Sequence, residues 1–472
     1  MSPSGGFKGW TSGRIAESDR GQVRFPKRGS MTTEPSRTGP RSRPAPRLRV
    51  KIVVLAMSVV FALLGCEVAL RIFVPEGLEF TAHHKLFCEH DPVLGWRKLA
   101  NFEGTHVTSE YAVTERLNGR GLRGPDYSYE KPEGRYRVLV LGDSFVEGYT
   151  VAFEKTFTER LAARLRDRDG VDIEVINAGT GGYASDQALL FFEHEGRRYH
   201  PDLTVLMFFD NDVWYNNQAQ YWRGQKPLFR ISADGLELTN TPVPAPAVEP
   251  AAPAESDPLF RSIKKWIAAH SRVYVLVRDR IKSSGALARW AVSLGIAEPP
   301  AEHELPATVG ANVVPSEWRV YERDPGPVIE QAWQVTEAII DRLRRKTEEA
   351  SSRLLVCSIP FDADIYRHRL DAIHDQYDLE PGAWEVEQVS ARLGAICDRV
   401  GVDYLDPTQA FRDEAEQLAA EDQVLYFPLD GHWNALGHDF MARLVAEHIG
   451  PVGTLSAGAA SGGGADHGTD GE

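Results

Sequence analysis

Apolar positions along the chain fall into one long run near the N-terminus and several short runs that alternate with amphipathic stretches. The run from Arg137 to Leu141 (RVLVL) is apolar without alternation, which is typical of a strand buried on both faces of a parallel sheet. Strands alternating with helices of 10 to 20 residues predict a three-layer α/β/α sandwich with a mainly parallel, flavodoxin-like sheet. The predicted strands are Arg137 to Leu141, Ile173 to Ile176, Leu203 to Phe208, Leu354 to Ile359 and Val402 to Leu405, and the predicted helices are Glu154 to Asp167, Asp186 to Gly196, Val328 to Glu348, Trp384 to Arg399 and Ala435 to His448.

The long N-terminal run indicates a membrane segment. A helix from Ile52 to Phe73 is about 33 Å long at about 1.5 Å per residue, enough to cross the hydrocarbon core, and we predict a signal-anchor over residues 50–74. The basic stretch from Arg41 to Lys51 places the preceding residues in the cytoplasm and the rest of the chain outside it, in the periplasm or beyond the cell. A cleaved signal peptide is one alternative, and a lipoprotein anchored at Cys66 of the lipobox-like Leu63-Leu64-Gly65-Cys66 is another.

Composition shifts suggest the remaining boundaries. Arg, Ser, Gly and Pro dominate the beginning of the chain, where either Met1 or Met31 could be the start, and Gly and acidic residues dominate its end. Between about 213 and 325 we predict an insertion that contains an amphipathic helix from Leu259 to Trp290 and forms a cap or lid beside the active site, with a partner-binding element as the alternative. The predicted segments are a disordered basic tail at 1–49, a connecting segment at 75–132, a catalytic domain at 133–452 with a Pro- and Ala-rich linker at 236–258, and a disordered tail at 453–472.

Overall composition is that of a folded globular protein, with 42% hydrophobic and 25% charged residues. The net charge of -14 conceals a basic beginning, because Met1 to Lys51 holds 12 Lys and Arg but 3 acidic residues. The acidic remainder argues against a nucleic-acid partner. The four cysteines have no metal-ligand spacing, so no zinc site is indicated.

Polar clusters follow the predicted strands, where parallel sheets place their reactive groups. They are Gly142-Asp143-Ser144, the turn from Asn177 to Tyr183, and Asp210-Asn211-Asp212, and a fourth cluster, Asp430-Gly431-His432, precedes the last helix. A serine hydroxyl becomes a nucleophile when a positioned base takes its proton and a third group holds that base. Ser144, His432 and Asp430 can fill these roles, since Asp430 and His432 project to one side of an extended segment.

These four segments resemble the signature blocks of the SGNH (GDSL-like) hydrolases, over about Asn118 to Gly450. The resemblance implies an oxyanion hole made of the Ser144 amide, the Gly182 amide and the Asn211 side chain. Phe209 stands where the family's third block has Gly. Asp430 and His432 are separated by one residue, which is similar to the Asp-x-His-Trp arrangement of SGNH-like polysaccharide acetyltransferases.

The resemblance implies a serine-dependent esterase that forms an acyl-serine intermediate and acts on small-molecule or glycan esters, O-acylated glycans above all. An O-acetyltransferase for an exported polysaccharide is the alternative, with export machinery as a partner, and a catalytically silent glycan-binding or assembly protein is another. The segment from Gly179 to Ala184 also fits a dinucleotide-binding pattern. It does not follow the first strand and lacks an acid at the usual distance, so we predict no cofactor and no metal.

Overall fold

The computed structural model describes residues 48–73, 87–108, 110–221, 224–233, 235–245, 271, 273–274, 314–380 and 382–452. Its strands are β1 (Cys88–Asp91), β2 (Gly95–Lys98), β3 (Glu103–Val107), β4 (Ala112–Arg116), β5 (Tyr136–Gly142), β6 (Ile173–Gly179), β7 (Leu203–Phe208), β8 (Gln220–Tyr221), β9 (Gly224–Gln225), β10 (Leu228–Ser232), β11 (Gly235–Thr239), β12 (Arg353–Ser358) and β13 (Asp403–Leu405). Its α-helices are α1 (Leu48–Phe73), α2 (Ser144–Glu147), α3 (Phe157–Asp169), α4 (Ser185–His194), α5 (Asn211–Tyr215), α6 (Gly326–Glu349), α7 (Asp362–Ile365), α8 (Arg367–Tyr377), α9 (Gln388–Val400), α10 (Thr408–Ala419) and α11 (Ala435–Ile449).

Strands β5, β6, β7, β12 and β13 form one sheet in the order β13-β12-β7-β5-β6, and every neighbouring pair is parallel. This order is the flavodoxin-like arrangement, in which the second strand of the sheet lies outside the first. The predicted mainly parallel sheet is therefore confirmed. All five predicted strands form, with ends that differ from the prediction by three residues or fewer.

Helices cover both faces of the sheet, because the strand side chains alternate between them. In β5, Val138 and Val140 pack into a core with α3 and α11. Leu139 and Leu141 face the other way, into a core with α4, α6 and α9. The three-layer α/β/α fold is confirmed. Because both faces of the sheet are buried, its strands are nearly continuous apolar runs in the sequence.

Two antiparallel hairpins, β1–β2 and β3–β4, occupy the region that the sequence predicted only as a connecting segment. Two more, β8–β9 and β10–β11, begin the predicted insertion. Strand β11 overlaps the predicted linker at 236–258, because Gly235–Thr239 pairs with β10 through the full length of both strands. The predicted helix from Leu259 to Trp290 lies outside the described residues, apart from 271 and 273–274.

Helix α1 coincides with the predicted membrane segment at 50–74. Several of its side chains lie outside the described residues. Across the part of the chain that the structure describes, no helix combines the length and the apolar character that crossing a membrane requires. Membrane anchoring stays a prediction.

Candidate active site

Ser144 lies where strand β5 ends and the short helix α2 begins. Asp143, the residue before it, caps this helix by accepting a hydrogen bond from the Phe145 backbone N–H at 2.9 Å. Burial raises the pKa of Asp143 to about 6. Phe145 is buried, whereas Ser144 is half-buried.

The structure brings Ser144, His432 and Asp430 together. The Ser144 Oγ lies 2.7 Å from His432 Nε2, and His432 Nδ1 lies 2.6 Å from Asp430 Oδ1. An ionised carboxylate only accepts hydrogen bonds, so Nδ1 carries the ring proton and Nε2 is left to accept the serine proton. Hydroxyl, imidazole and carboxylate thus form one continuous hydrogen-bonded chain, as the predicted roles require.

The path of the backbone between Asp430 and His432 differs from the extended segment predicted. Gly431 has a φ of 81°, in the left-handed region that glycine adopts readily, and its N–H donates to the Phe427 carbonyl. The chain therefore turns between the two residues. The carboxylate reaches the ring because of this turn and not because alternate residues share one side of a strand.

Hairpin β3–β4 holds this turn from the outside. The Tyr111 hydroxyl donates to Asp430 Oδ2 at 2.6 Å. Glu110 accepts from the backbone N–H groups of Leu429 and Asp430, at 2.9 and 2.7 Å. Burial and the Asp430 charge raise the pKa of Tyr111, which keeps its hydroxyl protonated as a donor. Asp430 is thus oriented by a second donor besides His432.

Two opposing effects act on the His432 ring. Burial lowers its pKa, whereas the hydrogen bond and the charge of Asp430 raise it. The raising effects together are larger, so the pKa lies above the usual 6.5. Phe145 and Tyr149 pack against the ring with centroids 4.5 and 5.3 Å away. These aromatic neighbours restrict how the imidazole can rotate.

The predicted oxyanion residues lie on both sides of Ser144. Because β5 runs between β6 and β7, the turn after β6 that contains Gly182 and the helix after β7 that begins at Asn211 flank the serine. Gly182 has a φ of 77° and is half-buried, between the buried residues Gly181 and Tyr183. Asn211 is also half-buried. This placement is compatible with hydrogen-bond donors that surround one oxyanion. The roles of Gly182 and Asn211 stay predictions.

Beneath the site lies a cluster of buried charges. Lys98 donates to Glu147 and, at 3.0 Å, to Glu115, which also bonds His106 at 2.8 Å. His106, Glu115 and Glu147 are the one group of potential metal ligands found among the described residues. The Lys98 ammonium binds both carboxylates and supplies the positive charge there. The cluster therefore fits a buried ion network and not a metal centre.

An open groove of about 1010 Å³ adjoins the turn that carries His432. Strand β4, the stretch from Thr150 to Lys155, Phe427 and the start of α11 line it. Phe153 and Phe427 give it aromatic walls. Ligand sites are commonly apolar and aromatic with a few polar groups, and this lining is of that kind.

Comparison with known proteins finds a family that matches part of the chain. The model of the GDSL-like lipase/acylhydrolase family matches residues 140–294, which include Ser144, Gly182 and Asn211. No curated protein matches the chain. Residues 140–294 are therefore similar to a GDSL-like lipase/acylhydrolase domain, which supports an enzyme that hydrolyses ester bonds. His432 and Asp430 lie beyond the matched segment, so their assignment depends on the geometry above.

Several solved structures are similar. A variant of Axe2, an acetyl-xylooligosaccharide esterase from Geobacillus stearothermophilus, is 14% identical, with 67% of this chain and 94% of that one covered and a TM-score of 0.33. The acetyl xylan esterase AlAXEase is 15% identical over 66% and 97%, with a TM-score of 0.33. TesA is 13% identical over 67% and 99%, with a TM-score of 0.32.

Sequence reasoning missed the residues that the N-terminal hairpins contribute: Trp96, Lys98, Glu110, Tyr111 and Glu115. One signal was available. Alternation of exposed and buried residues in β4 (Ala112–Arg116) is a strand pattern, but it places the charged Glu115 on the buried face. A buried charge in a strand indicates a partner elsewhere in the chain.

Proposed function

We propose that this enzyme removes a short acyl group from an O-acylated glycan through an acyl-Ser144 intermediate. The hydrogen-bonded chain from Ser144 through His432 to Asp430 is the observation that carries the proposal. As Ser144 Oγ bonds to the acyl carbon, its proton passes to His432 Nε2. The oxyanion of the tetrahedral intermediate faces the amides of Ser144 and Gly182 and the side chain of Asn211.

Collapse of that intermediate breaks the bond to the sugar oxygen, which leaves with the proton held by His432. Water then attacks the acyl-serine, with His432 as base, and releases the carboxylic acid and the free Ser144 hydroxyl. Asp430 stays ionised and stabilises the imidazolium in both halves of the cycle. The proton taken from Ser144 thus leaves with the sugar alcohol, and the proton returned to Ser144 comes from water.

Phe209 supports a short acyl group. It occupies the position of the family's Gly, directly after β7, and its ring centroid lies 5.1 Å from that of Phe145, which follows the nucleophile. A phenyl ring beside Phe145 leaves less room for an acyl chain near the nucleophile than a glycine would. Phe209→Ala is expected to raise kcat/KM for butyryl relative to acetyl p-nitrophenyl esters about tenfold. An unchanged ratio would remove this support.

The groove beside the acid–base residues supports an extended alcohol such as an oligosaccharide. Aromatic side chains pack against the apolar faces of ring-shaped ligands, and Phe153 lines the groove without being bonded to the proposed catalytic residues. Phe153→Ala is expected to raise KM for an acetylated oligosaccharide about tenfold. For p-nitrophenyl acetate, which is too small to fill the groove, KM is expected to stay the same.

Transfer to a sugar hydroxyl is the second candidate, because Asp430-Gly431-His432-Trp433 has the one-residue spacing of the acetyltransferase pattern. A sugar hydroxyl would then replace water in the second half of the cycle. Acyl-donor consumption that depends on an added polysaccharide would favour transfer. Equal turnover with and without that acceptor would favour hydrolysis.

We further propose that the catalytic domain works outside the cytoplasm, in contact with polysaccharide export machinery. The apolar run of α1 and the basic stretch before it support this location. Lipidation at Cys66 is the alternative anchor. Digestion of intact cells and spheroplasts with protease tests the location, since a cytoplasmic domain would be cleaved in neither.

The decisive experiment is Ser144→Ala with a matched control at Ser390, a half-buried serine in α9. Ser144→Ala is expected to abolish turnover of acetyl esters and labelling by a fluorophosphonate probe, while Ser390→Ala keeps both. Retained turnover in the Ser144 variant would defeat the proposed mechanism. Absence of labelling in the parent protein would favour a catalytically silent binding protein instead.

A further inference from the structure

The carbonyl group of Gly181 is held by a residue from far away in the chain. Trp96, a buried residue of β2, donates its indole N–H to the Gly181 oxygen at 3.1 Å. That oxygen belongs to the same peptide unit as the Gly182 N–H, the predicted oxyanion donor. A trans peptide is planar, and its C=O and N–H point in opposite directions. A bond that fixes the carbonyl on the Trp96 side therefore aims the Gly182 N–H away from Trp96.

The peptide unit before it is fixed as well. The Gly181 N–H donates to Glu147 Oε2 at 2.6 Å, and Glu147 is the last residue of the helix that Ser144 begins. The other carboxylate oxygen of Glu147 accepts from Lys98, two residues after Trp96 in β2. The strand thus reaches the turn by two routes, one through the indole and one through a buried ion pair.

A third bond joins Trp96 to the other end of the turn. The Tyr183 hydroxyl donates to the Trp96 carbonyl at 2.7 Å, and the two rings pack with centroids 5.9 Å apart. Trp96 and Tyr183 are buried, whereas Gly182 between these anchors is half-buried. The one residue of the turn that faces outward is the one whose N–H the contacts orient.

We propose that Trp96 is a positioning residue that aims the Gly182 N–H at the oxyanion and so completes the oxyanion hole from hairpin β1–β2. The inference rests on the proposed acyl-serine reaction. Hairpin β1–β2 would then contribute to catalysis, although it lies outside residues 140–294, which the family model matches. Donors at an oxyanion act on the transition state and contribute little to substrate binding.

Trp96→Phe tests this, since it keeps an aromatic ring and removes the indole N–H. We expect kcat for acetyl esters to fall about tenfold, less than the roughly hundredfold or greater loss when a donor is deleted outright, because the amide remains but is misdirected. KM is expected to change less than about twofold. The rate of fluorophosphonate labelling should fall in parallel, because that reaction also places negative charge on an oxygen in the hole.

Trp333→Phe is the matched control, since Trp333 is another buried tryptophan, in α6, far along the chain from the turn. Both variants lose a similar volume, so thermal unfolding reports the packing cost that they share. A kcat for Trp96→Phe that matches that of Trp333→Phe would overturn the inference. Ester turnover that survives Ser144→Ala would instead defeat the proposed function, so the two failures are distinguishable.

Tyr183→Phe keeps the inference testable if Trp96→Phe does not fold. It removes the hydroxyl that fixes the Trp96 carbonyl, and the aromatic ring stays in place. A fall in kcat of about threefold at constant KM is expected, because Trp96 remains and only its support is weakened. A change in KM alone, or no change in either constant, would count against Trp96 as a positioning residue.

Discussion

Two turns face Ser144, and they are held in different ways. The oxyanion turn, Thr180 to Tyr183, is almost entirely buried, and buried groups from β2 and α2 bond its main chain. The acid–base turn, Phe427 to His432, is more open, and the side chain of Leu429 within it is 79% exposed. Hairpin β1–β2 supports the first turn and hairpin β3–β4 the second.

This difference sets what each turn is sensitive to. A bond to a buried peptide group is costly to break, because the group cannot turn to water instead. Exposed hydrogen bonds to carboxylates are weaker and depend on pH and salt. The oxyanion turn is therefore expected to be insensitive to salt, and the acid–base turn to respond to it. Substitutions at and around Asp430 measure how much the acid–base turn contributes.

The largest effect is expected for Asp430→Asn. The amide no longer fixes the His432 tautomer or stabilises the imidazolium, so kcat/KM is expected to fall about 10³- to 10⁴-fold. Steady-state kinetics on p-nitrophenyl acetate measure the loss. Asp403→Asn is the control, because Asp403 bonds His448 at 3.0 Å in a similar pair at the surface. Comparable losses in both variants would contradict a special role for Asp430.

The pH dependence of the parent enzyme follows from His432. The base must be neutral, so kcat/KM is expected to fall as pH drops through the pKa of His432, which lies above its usual 6.5. Because Asp430 raises that pKa, kcat/KM of Asp430→Asn should begin to fall at a lower pH than kcat/KM of the parent enzyme. If both enzymes lose activity at the same pH, a group other than His432 titrates.

A smaller effect is expected for Tyr111→Phe. Removing the hydroxyl costs Asp430 one of its donors, and we expect kcat/KM to fall about fivefold, equivalent to about 1 kcal/mol. Tyr136→Phe is the control, since the Tyr136 hydroxyl is buried without a hydrogen-bond partner among the described residues. If both substitutions leave the kinetics unchanged, the Tyr111 contact does not orient Asp430.

The smallest effect is expected for Glu110→Gln. Glutamine keeps one acceptor oxygen, so one of the two bonds to the acid–base turn is lost, and we expect kcat/KM to fall about twofold and stability to urea to fall by about 0.5 to 1 kcal/mol. Glu103→Gln, on the exposed side of the same hairpin and paired with Arg116, is the control. A loss larger than that of Tyr111→Phe would reverse the order proposed here.

Much of the fold could be read from the sequence because each sheet strand is buried on both faces. Leu203–Phe208 is apolar apart from Thr204, and its predicted bounds match the structure. The shorter helices α7, α8 and α10 and the N-terminal hairpins were not predicted. Strand β1 (Cys88–Asp91) carries three polar residues in four, so local pattern could not identify a strand that only its partner stabilises.

The pairing of Asp430 with His432 was predicted, but for the wrong local geometry, because a glycine between two polar residues permits either an extended chain or a turn. Buried charges were harder still. Lys98 and Glu147 are 49 positions apart, and charged residues are exposed unless they are paired. A single sequence without spatial information cannot show that these two residues meet.

The sequence by itself determined the layered α/β fold, the order of its sheet strands along the chain, and the polar clusters at their ends. Those features depend on local periodicity and on short segments of contiguous residues. Only the tertiary structure decided how the N-terminal hairpins hold the oxyanion and acid–base turns around Ser144. Trp96 and Gly181 are 85 residues apart, and a contact of that kind exists only once the folded sheet has brought both segments to one edge.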